Sequence, residues 1–213
     1  MPGTRSAHSL VARRPPATGG SRPPFDRIFI IGGPGSGKSS LARRVAARSG
    51  LPLYHLDYIA RVGGGNGPER PIADRVADTG RIMRQSRWVA EGIDLGWTDQ
   101  LMDSAEVIVW LDYVSWPQAV SRILIRFVTG ALAEARRQRG LRKFTRLRDY
   151  SRQVRGLLGA VPKSRDYYLA SGTGHGRTEV TRAATAEALS VYESKVVHCR
   201  SRVDLETFVR RLR

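Results

Sequence analysis

One short stretch carries the residue types that phosphate chemistry needs. Gly32-Gly33-Pro34-Gly35-Ser36-Gly37-Lys38-Ser39 follows the pattern G-x-x-x-x-G-K-[ST], with Ser40 directly after it. Glycines let the backbone curl until successive N–H groups point at one centre, where they bind phosphate oxygens. The Lys38 ammonium can reach the outer phosphates of a nucleoside triphosphate, and the Ser39 hydroxyl can ligate Mg²⁺. Gly32, Gly33, Pro34, Gly35, Ser36, Gly37, Lys38, Ser39 and Ser40 are thus candidate nucleotide-binding residues, for ATP ahead of GTP. Lys38 is also a candidate catalytic group. A glycine-rich turn without a ligand is the plainer alternative. The context weighs against it: Ile28 to Ile31 read as a buried strand before the loop. After it, Leu41, Val45 and Ala46 keep helical spacing and Gly50 suits a helix stop.

Further apolar runs each end on a carboxylate. Leu53-Tyr54-His55-Leu56 precedes Asp57, Arg87-Trp88-Val89-Ala90 precedes Glu91, and Glu106 to Leu111 precedes Asp112. Lys195 to His198 is the last run, and no carboxylate follows it. Helical stretches lie between them. One opens at Pro71 and continues through Ile72, Val76, Ile82 and Met83. Another opens at Pro117, with Ala119, Val120, Ile123, Leu124, Phe127 and Val128 on one face. A weaker helix is expected within Glu179–Glu193. Ser201-x-x-Asp204 predicts a capping box for a closing helix whose apolar face is Val203, Leu205, Phe208, Val209 and Leu212.

Strands alternating with helices imply a parallel sheet covered on both faces. Ligands in such sheets sit at the carboxyl ends of the strands. That rule gathers Lys38, Asp57, Glu91 and Asp112 at one edge. Asp57 can orient or deprotonate an acceptor hydroxyl, or it can be a turn or N-cap aspartate. Asp112 reads as structural, and His55 as a packed, hydrogen-bonded core histidine. Trp88, Trp97, Trp110 and Trp116 read as core or hinge residues.

The 213 residues suit one domain with a small insert. Residues 1–25 read as a flexible basic tail and 26–213 as the domain, with its lid or insert around 130–190. The single cysteine, Cys199, excludes an internal disulfide. No run approaches the length of a membrane span, and no secretory signal opens the chain, so the expected location is the cytoplasm. The net charge of +17 is unevenly spread. Residues 26–120 are neutral, whereas residues 121–170 carry 13 basic and 3 acidic groups. The glycine-rich stretches 61–68 and 171–178 are expected as mobile loops.

Together GPGSGKSS, LPLYHLD at 51–57, WVAEG at 88–92, VIVWLD at 107–112 and VVHCRSRVDLETFV at 196–209 resemble the adenylate-kinase-like P-loop kinases. Within that group the chain is most similar to the topology modulation proteins. The resemblance implies an α/β P-loop NTPase fold: a five-stranded parallel sheet, helices on both faces, and a helical basic lid. It implies phosphoryl transfer, a Glu91 carboxylate in the outer shell of a metal bound at Ser39, and a lid beginning at Arg122 and Arg126. Those two arginines are candidate catalytic residues beside Lys38 and Asp57, because planar guanidinium groups suit phosphate oxygens. The chain departs from the pattern at Glu91-Gly92-Ile93-Asp94, where adenylate kinases have Pro-Arg. The arginines that grip a nucleoside monophosphate have no clear counterpart.

The sequence therefore points to an ATP- and Mg-dependent kinase of a small-molecule acceptor, with a nucleotide as the leading acceptor. Two alternatives remain: a nucleotide-regulated nucleic-acid-binding protein using segment 121–170, and a P-loop ATPase without an acceptor.

Overall fold

A computed structural model describes residues 24–63, 67–137, 157–170 and 180–212. Five strands form one sheet: β1 (Arg27–Gly32), β2 (Leu53–His55), β3 (Trp88–Glu91), β4 (Val107–Leu111) and β5 (Val196–Cys199). Their order is β2-β3-β1-β4-β5, and every pairing is parallel.

The centre of the sheet goes to the strand that is apolar on both faces. Ile28, Phe29, Ile30 and Ile31 are all fully buried. Strand periodicity of two divides them. Phe29 and Ile31 join Trp88, Ala90, Ile108 and Trp110 in one core layer. Ile28 and Ile30 join Val89, Val107 and Val109 in the other. The first layer is closed by α2 (Leu56–Ala60), α3 (Ile72–Met83), α4 (Asp99–Ser104) and α7 (Arg182–Ser190). The second is closed by α1 (Lys38–Ser49) and α8 (Arg202–Arg211) through Leu41, Val45, Phe208 and Val209. Each such aliphatic or aromatic side chain adds about 1.5–3 kcal/mol when buried. Helix α5 (Trp116–Arg137) leaves the end of β4, and a helical stretch at 157–169 (α6) returns over the phosphate loop. The strand–loop–helix unit at the middle of this sheet is the P-loop NTPase fold.

Local signals set the boundaries. α1 stops at Gly50 (φ 66°), whose N–H donates to Ala46 O at 2.9 Å. At α8 the Ser201 hydroxyl accepts from Asp204 N at 3.1 Å, while the Asp204 carboxylate accepts from Ser201 N at 2.8 Å. That is the expected capping box; at α7 the Thr181 hydroxyl accepts from Ala184 N alone.

Several expectations need correction. β2 is shorter than expected: Leu56 and Asp57 belong to the first turn of α2, a helix with too few residues to show periodicity. Lys195 lies in a 3₁₀ turn (Glu193–Lys195) before β5. The apolar faces of two helices are also narrower than expected. Leu124 and Val128 of α5 and Val203 of α8 are exposed. At 3.6 residues per turn, Val128 lies roughly 140° from buried Ile123, and Val203 roughly 140° from buried Phe208. Phe25, placed in the tail, packs against the core. The glycine stretch closes through an isolated antiparallel bridge between Arg61 and Glu69. Residues 1–23 of the tail, 64–66 of that stretch, 138–156 of the lid and 171–179 lie outside the described residues. Arg139, Arg142, Arg146 and Arg148, which by type also suit phosphate oxygens in a lid, lie among them.

Candidate active site

The phosphate loop is held from outside by its carbonyl groups. Lys38 Nζ donates to Gly33 O at 3.1 Å and Tyr168 OH to Pro34 O at 3.2 Å. Arg122 Nη1 donates to both Gly35 O and Ser36 O at 3.3 Å, and Tyr113 OH to Ser36 O at 3.3 Å. Among the described residues, the N–H groups of Gly35, Gly37, Lys38 and Ser39 have no protein acceptor. They sit where α1 begins, so the helix adds its positive end to the same point. Three loop glycines are required by space, and at Gly32 a Cβ would lie 2.7 Å from Leu111 O. A Cβ at Gly35 (φ +75°) would lie 2.7 Å from Ala119 O, and one at Gly33 would lie 2.3 Å from the Tyr167 ring.

Beside the loop, two side chains converge on one carboxylate oxygen. Glu91, buried at the end of β3, accepts from Ser39 Oγ at 2.9 Å through Oε1. His55 Nδ1 lies 2.6 Å from the same atom. Burial pushes the Glu91 carboxyl up, but His55, Lys38 and Ser39 together outweigh it and hold it below the usual carboxylate range. Burial pushes the Lys38 ammonium down, against the pull of Glu91, Asp57 and Asp94. Asp94, half-buried past β3, is pushed up by burial first and by the neighbouring Asp57 charge second.

Two cavities meet here. One, of about 630 Å³, is bordered by the loop, Tyr113, Arg122, Arg202 and Glu206. The other, of about 980 Å³, is bordered by Arg61, Arg75, Asp94, Phe127, Lys163 and Tyr167. Gly35, Lys38, Ser39, Asp57, Glu91, Ile123 and Arg126 line both, so the two form one trough over the carboxyl ends of the strands. Lys38, Ser39, Asp57, Glu91 and Arg126 therefore stand at its junction. Arg122 borders the smaller half, its guanidinium 5.6 Å from the Tyr113 ring centre.

Asp112 is not part of the trough. Arg182 Nε lies 2.6 Å from its Oδ1, and His198 Nε2 lies 2.9 Å from its Oδ2. His198 in turn stacks on Trp110 at 4.0 Å. Trp88, Trp97 and Trp110 are core residues, and Trp116 is half-buried at the start of α5. Sequence reasoning assigned no role here to Asp94, Tyr113, Tyr167 or Tyr168, and it put His55 in the core. Tyr113 and Asp94 follow strand ends and the same positional rule could have found them. His55 is half-buried and lines the trough. No local signal marks the two tyrosines.

A divalent cation fits the Ser39–Glu91 pair in chemistry, since both offer hard oxygen donors. Among the described residues no cluster of three or more His, Cys, Asp or Glu side chains could hold an ion by itself. Phosphate oxygens would have to complete its shell.

No family model matches the chain, and no curated protein matches it. Solved structures do. A gluconokinase from Sinorhizobium meliloti is 19% identical over 81% of this chain and 96% of its own, at a TM-score of 0.40. A shikimate kinase from Bacteroides thetaiotaomicron is 14% identical over 88% and 96%, also at 0.40. A Chloroflexus aurantiacus protein assigned as a kinase is 23% identical over 49% of this chain, at 0.37. The chain spans 66% of that last protein's length. No helix among the described residues is long and apolar enough to cross a membrane.

Proposed function

We propose that the chain is a cytoplasmic, adenylate-kinase-like kinase that transfers the γ-phosphoryl group of ATP to a hydroxyl of a small molecule. Its motifs stand nearest the topology modulation branch of that group. The observation that carries the reading is the position of Lys38. Its half-buried ammonium donates to Gly33 O of a loop with unpaired N–H groups, and Asp57, Glu91 and Asp94 border the same cavity.

Phosphoryl transfer needs positioning and charge neutralisation more than covalent chemistry. The loop amides and Lys38 hold the β- and γ-phosphates. Arg122 borders the donor half and keeps the loop in its curled form. Mg²⁺ bound with the nucleotide would be held by Ser39, with Glu91 behind it, and would offset the phosphate charge. Asp57 faces Lys38 across the junction. It accepts the proton of the acceptor hydroxyl as the acceptor oxygen bonds phosphorus and the bond to the β-phosphate oxygen breaks. ADP leaves with the electron pair of that bond. Arg126, exposed at the same junction, neutralises charge on the moving group.

The test is Lys38→Ala, with ATP and adenosine titrated separately by calorimetry. The amine meets phosphates and not the base, so ATP affinity falls by about tenfold or more while adenosine affinity stays. ATP turnover is lost. Equal loss for both ligands would sink the phosphate-loop role.

A further inference from the structure

The phosphate loop contains a β-turn. Ser36 N donates to Gly33 O at 3.1 Å, which leaves Pro34 and Gly35 as its two central residues. Gly35 has a φ of +75°, the sign a type II turn needs at its third position. A type I turn would close the same hydrogen bond. The two types differ by a flip of the central peptide, here the one joining Pro34 to Gly35. Proline suits the second position of both types, and glycine at the third tolerates either sign of φ. The local sequence therefore leaves the flip open.

Phosphate binding does not leave it open. In a trans peptide the C=O and the N–H point in opposite directions, and the chain has no cis peptide bond. The Gly35 N–H is one of the loop amides without a protein acceptor, and Gly35 lines both halves of the trough. A flipped peptide would offer phosphate a carbonyl oxygen where it needs a donor.

The loop carbonyls are not held equally. Gly33 O accepts from Lys38 Nζ and Ser36 N, and Ser36 O from both Tyr113 OH and Arg122 Nη1. Gly35 O has Arg122, a permanent cation. Among the described residues, Pro34 O has only Tyr168 OH, at 3.2 Å. Packing fixes that hydroxyl. The Tyr168 ring meets the Tyr167 ring edge-on, with 4.9 Å between centres. Tyr167 is itself buried against Gly33, and its OH accepts from Trp110 Nε1 at 3.3 Å. Burial above all pushes the Tyr168 phenol up, so the donating proton stays in place at neutral pH.

We infer that Tyr168 is a positioning residue for the nucleotide: its hydroxyl holds the Pro34–Gly35 peptide in the type II orientation and keeps the Gly35 N–H turned to phosphate. This rests on the kinase reading above. It gives α6 a part in donor binding that the glycine motif by itself does not assign.

The test is Tyr168→Phe, which keeps the ring and removes one oxygen. Calorimetry with Mg-ATP and with adenosine, beside a melting curve, reads the effect. ATP affinity should fall about three- to tenfold, the worth of one net hydrogen bond. Adenosine affinity and the melting temperature should stay. Tyr113→Phe should weaken ATP less, because Arg122 still holds Ser36 O. A second measurement needs no nucleotide. The nuclear Overhauser contact between Pro34 Hα and the Gly35 N–H is strong in a type II turn and weak in type I. It should be strong in wild type and weaken in Tyr168→Phe. Unchanged ATP affinity, an equal fall for ATP and adenosine, a larger fall for Tyr113→Phe, or the same Overhauser contact in both proteins overturns the inference and leaves the kinase reading in place. If ATP does not bind wild-type protein, the kinase reading fails and the inference with it.

Discussion

Glu91 is ionised in a place where burial alone favours its neutral form. Three neighbours reverse that preference: the His55 ring, the Lys38 ammonium and the Ser39 hydroxyl. Such an arrangement has a cost and a use. An unpaired charge at that depth would be strongly destabilising, whereas the hydrogen-bonded carboxylate stays negative beside the metal-binding hydroxyl. The energetics follow a definite sign. A carboxyl whose pKa is lower in the folded than in the unfolded chain contributes stability above the unfolded value. That contribution disappears as pH falls through the folded value. The ordinary glutamate value is about 4.3. Glu91→Gln should therefore be less stable than wild type at pH 7, and the gap should narrow steadily below about pH 4. Urea unfolding at a series of pH values reads it directly. A gap that widens on acidification would mean that Glu91 is protonated in the folded protein and is no charge partner for Lys38 or for a cation.

At the scale of elements, the phosphate loop depends on helices that lie far along the chain. Gly33 is conformationally ordinary, yet the buried Tyr167 ring of α6 occupies the space where its Cβ would stand. Gly130, in α5, has nothing within 4 Å of its own would-be Cβ. The same substitution should then act with opposite signs. Gly33→Ala overpacks a fixed contact and destabilises by about 1–3 kcal/mol. Gly130→Ala improves helix propensity in open space and stabilises by about 0.5–1 kcal/mol. Denaturant midpoints at constant slope check both, and equal effects would show that α6 is not seated on the loop.

These contacts also mark what the sequence could convey. The sheet and its site edge were legible because their signals are local: apolar runs of strand length, a glycine motif, carboxylates at run ends. The same rule placed Lys38, Asp57 and Glu91 together, but it placed Asp112 with them, and Asp112 is instead tied to Arg182 and His198. The Tyr167–Gly33 contact joins residues 134 positions apart, and the bridge between Arg61 and Glu69 depends on two residues eight positions apart meeting across a glycine-rich stretch. Neither leaves a periodicity to read. His55 alternated with apolar neighbours and so looked like core. Its place at the strand's carboxyl end, rather than its periodicity, decides what it touches.

The whole molecule carries a charge of +17, and where that charge sits separates a kinase from a nucleic-acid binder. The nucleotide core is neutral. Most of the excess lies in residues 1–25 and 121–170. Of the described basic residues in that second segment, Arg122 is tied to the phosphate loop, and Arg126 and Lys163 border the trough. They line a concavity instead of a flat duplex-sized face. A net excess of this size gives some duplex DNA binding at low salt whatever the function, through release of counterions. Binding alone is therefore uninformative, and its salt dependence is the useful quantity. If about six phosphates are neutralised, affinity should fall by about a thousandfold between 50 and 200 mM salt. For a kinase whose arginines close over nucleotide phosphates, what survives should fall further when ATP is added. Arg122→Gln with Arg126→Gln should remove phosphoryl transfer and change that DNA binding little, because the other basic residues of the segment remain. Fluorescence anisotropy with labelled duplexes, with and without Mg-ATP, follows both. Tight, sequence-selective binding near physiological salt, indifferent to ATP and to the double substitution, would shift the assignment to a nucleic-acid-binding protein. The trough would then be a regulatory nucleotide site, with no acceptor to phosphorylate.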